Sequence, residues 1–479
     1  MVKVLFVASE AVPFVKTGGL ADVAGSLPKE LRAQGVDVRV VIPKYQSIPQ
    51  KYKDKMRLLK TGTVFIGWRE QYCGVEYLEY EGVPTYFIDN EKYFKRDGLY
   101  GYEDDAERFA FFCRGILDML PQLDFVPDII HCNDWHTGML NVILKTQHAQ
   151  NDIFKDIRTV YTIHNLRYQG VFGKDIISEV LNLNWDVYNN GSIEFYEAVN
   201  FMKGGIVYAD YVTTVSNTYA KEIQYEYYGE NLDGLLRSRA ECLSGIVNGI
   251  DYDIYNPATD DKIFIPYNID NAVTGKIENK LKLQEELGLP VRRDVPMLAI
   301  ISRLVGPKGI DLVNHIMEEV LMQEDIQLVV LGTGEKQYED FFKAMAWKYP
   351  KKVSANITFS DELAHKIYAG ADIFIMPSQY EPCGIGQLIA LHYGTIPVVR
   401  ETGGLKDTVE PYNKYTGTGN GFSFTNYNAH ELLFTIKRAL GSYEAANIWE
   451  GIVKNAMETD FSWRQSAKQY KDLYDRLKK

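Results

Sequence analysis

The sequence predicts an α/β protein built from two doubly wound domains, and three observations carry that expectation. Short apolar, β-branched runs alternate with longer segments of helical spacing, the pattern of repeated βα units on a parallel sheet. The alternation pauses in a cluster of turn residues at 246–257 (IVNGIDYDIYNP) and then begins again. The chain, at 479 residues, is long enough for two full-sized cores.

The first series opens with a buried strand over residues 2–8 and a second over 36–42. Between them Leu20, Val23, Ala24, Leu27 and Leu31 keep helical spacing, with Pro28 inside the pattern, so a kink or an early turn is expected there. Segments 63–68, 74–80 and 84–88 read as further strands. Residues 104–120 then form a clear helix, with Phe109, Phe112, Cys113, Ile116 and Leu120 on one side. Strands follow over 128–132, 159–163 and 211–215. The second series places strands at 297–301, 327–331, 373–377 and 396–399, and a polar amphipathic helix closes the chain over 463–477. The predicted domains are 1–248, with the closing helix of about 460–479 returning to it, and 249–459.

Composition excludes several function classes. Lys and Arg total 52 against 64 Asp and Glu, a formal charge of −12, which disfavours nucleic acid or an anionic membrane as partner. Five scattered cysteines show no metal or disulfide spacing, which fits a reducing cytoplasm. No signal-peptide core and no run of 18 apolar residues is present, so an unexported protein outside the membrane is expected. In such a chain a phosphate site must come from local design.

Candidate sites cluster at strand ends. Thr17-Gly18-Gly19-Leu20 recurs as Thr402-Gly403-Gly404-Leu405, each after a strand and opening a helix. Either this is a chance repeat of a common turn, or each domain offers an anion-binding helix N-terminus. Lys16 beside the first turn is a diphosphate clamp or a solvated surface lysine. Neither this turn nor 331–337 (LGTGEKQ) satisfies the dinucleotide fingerprint, which disfavours a nicotinamide enzyme. Arg303 and Lys308 follow the strand at 297–301, a planar fork and a point charge suited to a nucleotide diphosphate, or else one ion pair in a loop. Glu381, past the strand at 373–377, could hold sugar hydroxyls or cap the next helix, and the N–H groups of 383–386 face anions. HCNDWH at 131–136 and His164-Asn165 follow two strands of the first series, without a complete zinc ligand set.

Seven motifs occur in order: KTGGLADV (16–23), HCNDWHTG (131–138), TIHNLRYQG (162–170), NKLKLQ (279–284), SRLVGPKG (302–309), PSQYEPCGIGQL (377–388) and TGGLKDTV (402–409). Together, over about residues 1–460, they resemble the bacterial glycogen synthases, the starch-synthase-like glycosyltransferases that use ADP-glucose. The resemblance implies a GT-B fold, two Rossmann-like domains around a central cleft with closure over the donor. It implies retaining transfer of glucose to the non-reducing 4-hydroxyl of an α-1,4-glucan, without a metal or other cofactor.

Carried over by position, Lys16, Gly18 and Gly19 lie against the nucleotide-sugar, Arg303 and Lys308 hold the diphosphate, and Glu381 holds glucose hydroxyls. His164, through its backbone carbonyl, stabilises positive charge on the sugar. Cys383 and Gly384 fall in a backbone nest, and Thr402, Gly403 and Gly404 of the second turn are substrate-binding candidates at a helix N-terminus. Asp134, His164 and Asn165 line the acceptor and donor side, Lys280 is the lysine of NKxxLQ, Tyr93 is an active-site tyrosine, and Phe359 is a platform for adenine. Three departures stand out: Gln379-Tyr380 replaces Arg-Phe, Gly386 stands for a common Thr, and Ile389 for a ribose-gripping Glu. Two other readings stay open: a related enzyme with UDP-glucose or another acceptor, and a non-catalytic binder.

Overall fold

The computed structural model describes residues 1–478, in two compact units: residues 1–248 with the closing helix Trp463–Lys478, and Gly249–Ser462. Each unit has its own continuous apolar core.

The first unit is built on strands β1 (Lys3–Val7), β2 (Asp37–Pro43), β3 (Arg57–Ile66), β4 (Arg69–Tyr80), β5 (Val83–Asp89), β6 (Ile129–Asn133), β7 (Arg158–Ile163), then β8 (Val171–Gly173), β9 (Glu194–Phe195) and β10 (Ala198–Asn200), and finally β11 (Tyr211–Thr214) and β12 (Leu243–Gly245). Nine of them form one sheet in the order β12-β11-β7-β6-β1-β2-β5-β4-β3, while β8, β10 and β9 form a separate antiparallel sheet. Pairing is parallel from β12 through β5 and antiparallel only in the β5-β4-β3 meander.

The second unit carries β13 (Met297–Ile301), β14 (Gln327–Leu331), β15 (Val353–Asn356), β16 (Ile373–Met376), β17 (Ile396–Arg400) and β18 (Phe422–Phe424). These form an all-parallel sheet in the order β15-β14-β13-β16-β17-β18, the doubly wound order of a nucleotide-binding fold. Strands buried on both faces read as unbroken apolar runs, which is why β13 and β14 coincide with the expected bounds.

Elsewhere the structure corrects the expectation. The helix Gly19–Ala33 continues past Pro28, so no early turn ends it there. A proline inside a helix costs about 3 kcal/mol, but Leu20, Val23, Ala24, Leu27 and Leu31 are all buried there, the valine and the leucines at about 1.5–3 kcal/mol each. Burial wins. Strand β3 begins at Arg57, six residues before the expected start at 63, because its first half is an edge with mostly exposed side chains and shows no apolar signal. Strands β15 and β18 and the small sheet were not expected; each is only two to four residues long.

The closing helix is anchored to the first unit by polar contacts in a buried setting. Tyr474 Oη lies 2.6 Å from His131 Nδ1, whose Nε2 lies 2.6 Å from Thr162 Oγ1, and Ser466 Oγ donates to Val247 O at 2.6 Å. His131 is thus a structural residue on β6, and burial pushes its pKa down to about 3.

Candidate functional site

Open α/β sheets bind ligands beyond the carboxyl ends of the strands where the order reverses. In the second unit that point lies between β13 and β16, so the loops at 302–309 and 377–384 are neighbours. Gly309 stitches them together: it has φ +74°, and a Cβ there would lie 2.1 Å from Pro377 O. Gln379 N donates to Pro307 O at 2.9 Å across the same seam. This brings Lys308 Nζ to 2.6 Å from Glu381 Oε2, two candidate residues 73 positions apart in the chain. Ser378 Oγ donates to the same oxygen at 3.0 Å. Both contacts fall on Oε2, so Oε1 remains available to a ligand. Arg303, on the same loop as Lys308, is exposed and makes no ion pair with any described residue.

The bend after Glu381 is held from inside. Gln387 Nε2 donates to the carbonyls of Cys383 (3.0 Å) and Gly384 (3.1 Å). Since C=O and N–H of a trans peptide point in opposite directions, the N–H groups of Gly384 and Ile385 are directed away from Gln387. Gly386 stands in the family's Thr position because the space is filled: a Cβ would meet Phe374 Cζ at 3.2 Å and Tyr368 Oη at 3.3 Å. Ile389 is core. Phe359 lies just past β15 and is 90% exposed, an open aromatic face at the same end of the sheet.

In the first unit the order reverses between β1 and β6, which joins the loop carrying Lys16 to the one carrying Asp134. Glu10, just past β1, accepts hydrogen bonds at Oε2 from Thr17 N (2.5 Å) and Thr17 Oγ1 (2.7 Å). Lys16 Nζ reaches Asp22 at 2.7 Å. Asp134 holds a positive φ of 58°, unusual outside glycine, and its Oδ1 accepts the His164 N–H at 2.8 Å. His164 Nε2 lies 2.9 Å from Asn133 Oδ1, and burial lowers its pKa to about 3, so its ring is neutral. Asn165 turns its own loop, accepting from Arg167 N at 3.1 Å. Beyond Trp135 opens a groove of about 430 Å³, lined by Trp135, Tyr168, Phe172, Phe195, Asp105 and Glu230. Gly170, at φ +65°, lies flat on the Trp135 indole.

Burial raises the Asp134 pKa to about 7, opposed by the His164 and Asn165 N–H groups and reinforced by the Glu10 charge. Between the ordinary value of 3.8 and about 7 the folded protein keeps a proton that the unfolded chain has released, so stability falls as pH rises through that window. Asp134→Asn should therefore raise the melting temperature at pH 8, with the gain shrinking towards pH 4. Equal gains at both pH values would contradict this charge assignment.

Three expectations need correction. Lys280 faces no ligand: it is 1% exposed, donates to Asp372 (2.9 Å), Val295 O (3.1 Å) and Tyr443 Oη (2.8 Å), and ties down the amino end of β16, opposite the ligand end. Tyr93 is a core residue, fully buried with its hydroxyl on Glu107 at 2.5 Å. The two Thr-Gly-Gly-Leu turns do different work. Gly404 N–H serves Glu381 O (3.1 Å) and Pro382 O (3.2 Å), while Cβ atoms on Gly403 and Gly404 would lie 2.0 Å from the Glu381 and Cys383 carbonyl oxygens. These glycines let one backbone lie on another. Glu10, Ser378 and the aromatic groove were missed; only a carboxylate and a hydroxyl at strand ends signalled the first two.

Among the described residues no three His, Cys, Asp or Glu side chains gather as a metal site, and no helix is long and apolar enough to cross a membrane. Residues 3–238 match the family profile "Starch synthase catalytic domain" and residues 285–455 match "Glycosyl transferases group 1". The glycogen synthase of Desulforamulus reducens is 57% identical over 475 residues, 99% of this chain and 98% of that one. That of Clostridium kluyveri is 57% identical over 99% of this chain and all of its own. Among solved structures, the catalytic domain of starch synthase IV from Arabidopsis thaliana, bound to ADP and acarbose, superposes with a TM-score of 0.91 at 33% identity, over 100% of this chain and 99% of that one. The strand-end geometry and these full-length likenesses agree: the chain belongs to the glycogen synthase family, hexosyltransferases of GT-B fold.

Proposed function

We propose that the enzyme transfers glucose from ADP-glucose to the non-reducing 4-hydroxyl of an α-1,4-glucan with retention of configuration, and that it works in the cytoplasm. The observation that carries this reading is the Lys308–Glu381 contact at the strand-order reversal of the second unit, with Arg303 exposed on the same loop as Lys308. The C1–O bond to the β-phosphate breaks and the C1–O4 bond forms on the same face. The 4-hydroxyl proton passes to the departing phosphate. Lys308 and Arg303 oppose the charge of the leaving ADP; each is worth about 4 kcal/mol at 4 Å and an effective dielectric near 20, before desolvation. No metal or other cofactor is needed for that charge. Glu381 positions glucose hydroxyls through its second oxygen. Gly384 N–H lies on the phosphate side, and Phe359 offers a face to adenine.

The first unit takes the acceptor. Its groove joins five aromatic residues to carboxylates, the mixture that stacks on sugar faces and bonds their hydroxyls. The starch synthase IV structure supports both halves of the reading, since it holds ADP and acarbose. The test is initial-rate transfer onto glycogen with ADP-glucose and UDP-glucose side by side, with the anomeric configuration of the product read by NMR. ADP-glucose should dominate and give an α-linkage. No turnover with ADP-glucose would overturn the reading, and no turnover with either donor would leave a non-catalytic binder.

A further inference from the structure

Glu10 carries a charge that the mechanism above does not use. It is 3% exposed, and a buried carboxylate is costly unless hydrogen-bonded. Its partners are Thr17 N and Thr17 Oγ1, with the Gly18 N–H also directed at it, and burial still holds its pKa above the ordinary range. Asp22 and Asp134 are the acidic neighbours. These backbone donors, at the entry to the helix Gly19–Ala33, are of the kind that a helix N-terminus offers to phosphate. Here an internal anion already occupies them.

We propose that Glu10 is a positioning residue that sets the turn from Lys16 to Gly19 through its backbone, and that this turn offers a phosphate group Lys16 rather than the N–H groups of Thr17 and Gly18, which Glu10 occupies. The chain leaves Ala11 and returns at Val15 in a bridged loop, so the Glu10–Thr17 bonds close a seven-residue excursion and fix where Lys16 stands. The Lys16 side chain is 49% exposed, and its pairing with Asp22 lies at the surface. The inference rests on the reading of this turn as a phosphate contact.

The test measures ADP affinity by calorimetry, and separate KM values for ADP-glucose and glycogen, in the wild type, Lys16→Ala, Glu10→Ala, Glu10→Gln and Thr17→Val. Glu10→Ala should weaken ADP and raise the donor KM about tenfold, with the glycogen KM unchanged. Glu10→Gln, whose amide oxygen still accepts both Thr17 bonds, should restore most of the loss. A Gln variant as poor as Ala would overturn the positioning account, because charge rather than turn geometry would then be decisive. Should Glu10→Ala not fold, Thr17→Val decides: a raised donor KM alone supports the inference, and an unchanged one overturns it. Wild-type ADP affinity in Lys16→Ala would instead refute the underlying reading of the turn. Weakened binding there with intact binding in Glu10→Ala would refute only the role of Glu10.

Discussion

Replacing Glu381 by alanine should reduce glucosyl transfer by about 10²–10³-fold while the protein stays folded, the scale of losing one preorganised group at a reacting centre. The side chain is 8% exposed, and Lys308 and Ser378 both converge on its Oε2. Alanine removes the contact proposed for glucose and also frees Lys308, whose ammonium is then no longer held over the seam between the two loops. Glutamine separates these effects: it keeps the shape and a hydrogen bond for Ser378 but cannot neutralise Lys308. Activity below 10% in Glu381→Gln would show that the charge pair matters beyond shape. In the positioning role proposed for Glu381 its carboxylate forms no bond to the sugar carbon, so mass spectrometry with a slow fluorinated donor should find no glucosyl adduct on the peptide carrying Glu381. Undiminished transfer in Glu381→Ala would sink the assigned site.

The second large effect is expected from Gly404→Ala. A Cβ there would lie 2.0 Å from Cys383 O and 2.5 Å from Cys383 C and Cα, all backbone atoms that no rotamer change can move aside. The bend at 381–383 must shift, carrying Glu381 with it. Overpacking of this kind costs about 1–3 kcal/mol, or several degrees of melting temperature in a unit of this size. An ångström of displacement at the site costs on the order of 10² in rate. The matching change in the other turn is the control. At Gly18 a Cβ would have only Glu10 Oε1, at 3.8 Å, as a near neighbour, and the backbone is extended at φ −153°, so Gly18→Ala should keep the wild-type melting temperature. If both variants behave alike, the claim that one tetrapeptide does two jobs fails.

The misassignments share one cause. Lys280 lies in a stretch that matches a family motif and Tyr93 in one that aligns with the family only loosely, yet a likeness of sequence shows which residues recur without showing what they touch. Lys280 proved to be saturated by three acceptors at the amino end of β16, and Tyr93 to be a core ring. Pro28 does not end its helix early, because five buried side chains outweigh one lost hydrogen bond. Glu10 escaped notice since its partners, a backbone N–H and a hydroxyl seven residues on, carry no signature of their own.

The sequence by itself determined the alternation of strand and helix, the break near residue 249, and the reaction class through seven ordered motifs. Those features are local, because a strand buried on both faces must be an apolar run and a loop at its carboxyl end must carry the polar chemistry. Only the tertiary structure decided which loops meet. Strand order places the loop after β13 beside the loop after β16, and that adjacency puts Lys308 on Glu381. It also gave the repeated Thr-Gly-Gly-Leu its two meanings, one turn closed on a buried carboxylate and the other laid flat against a neighbouring backbone. Hydrogen bonds and steric contacts act over a few ångströms, and nothing in the chain's linear order records which residues will come within that distance.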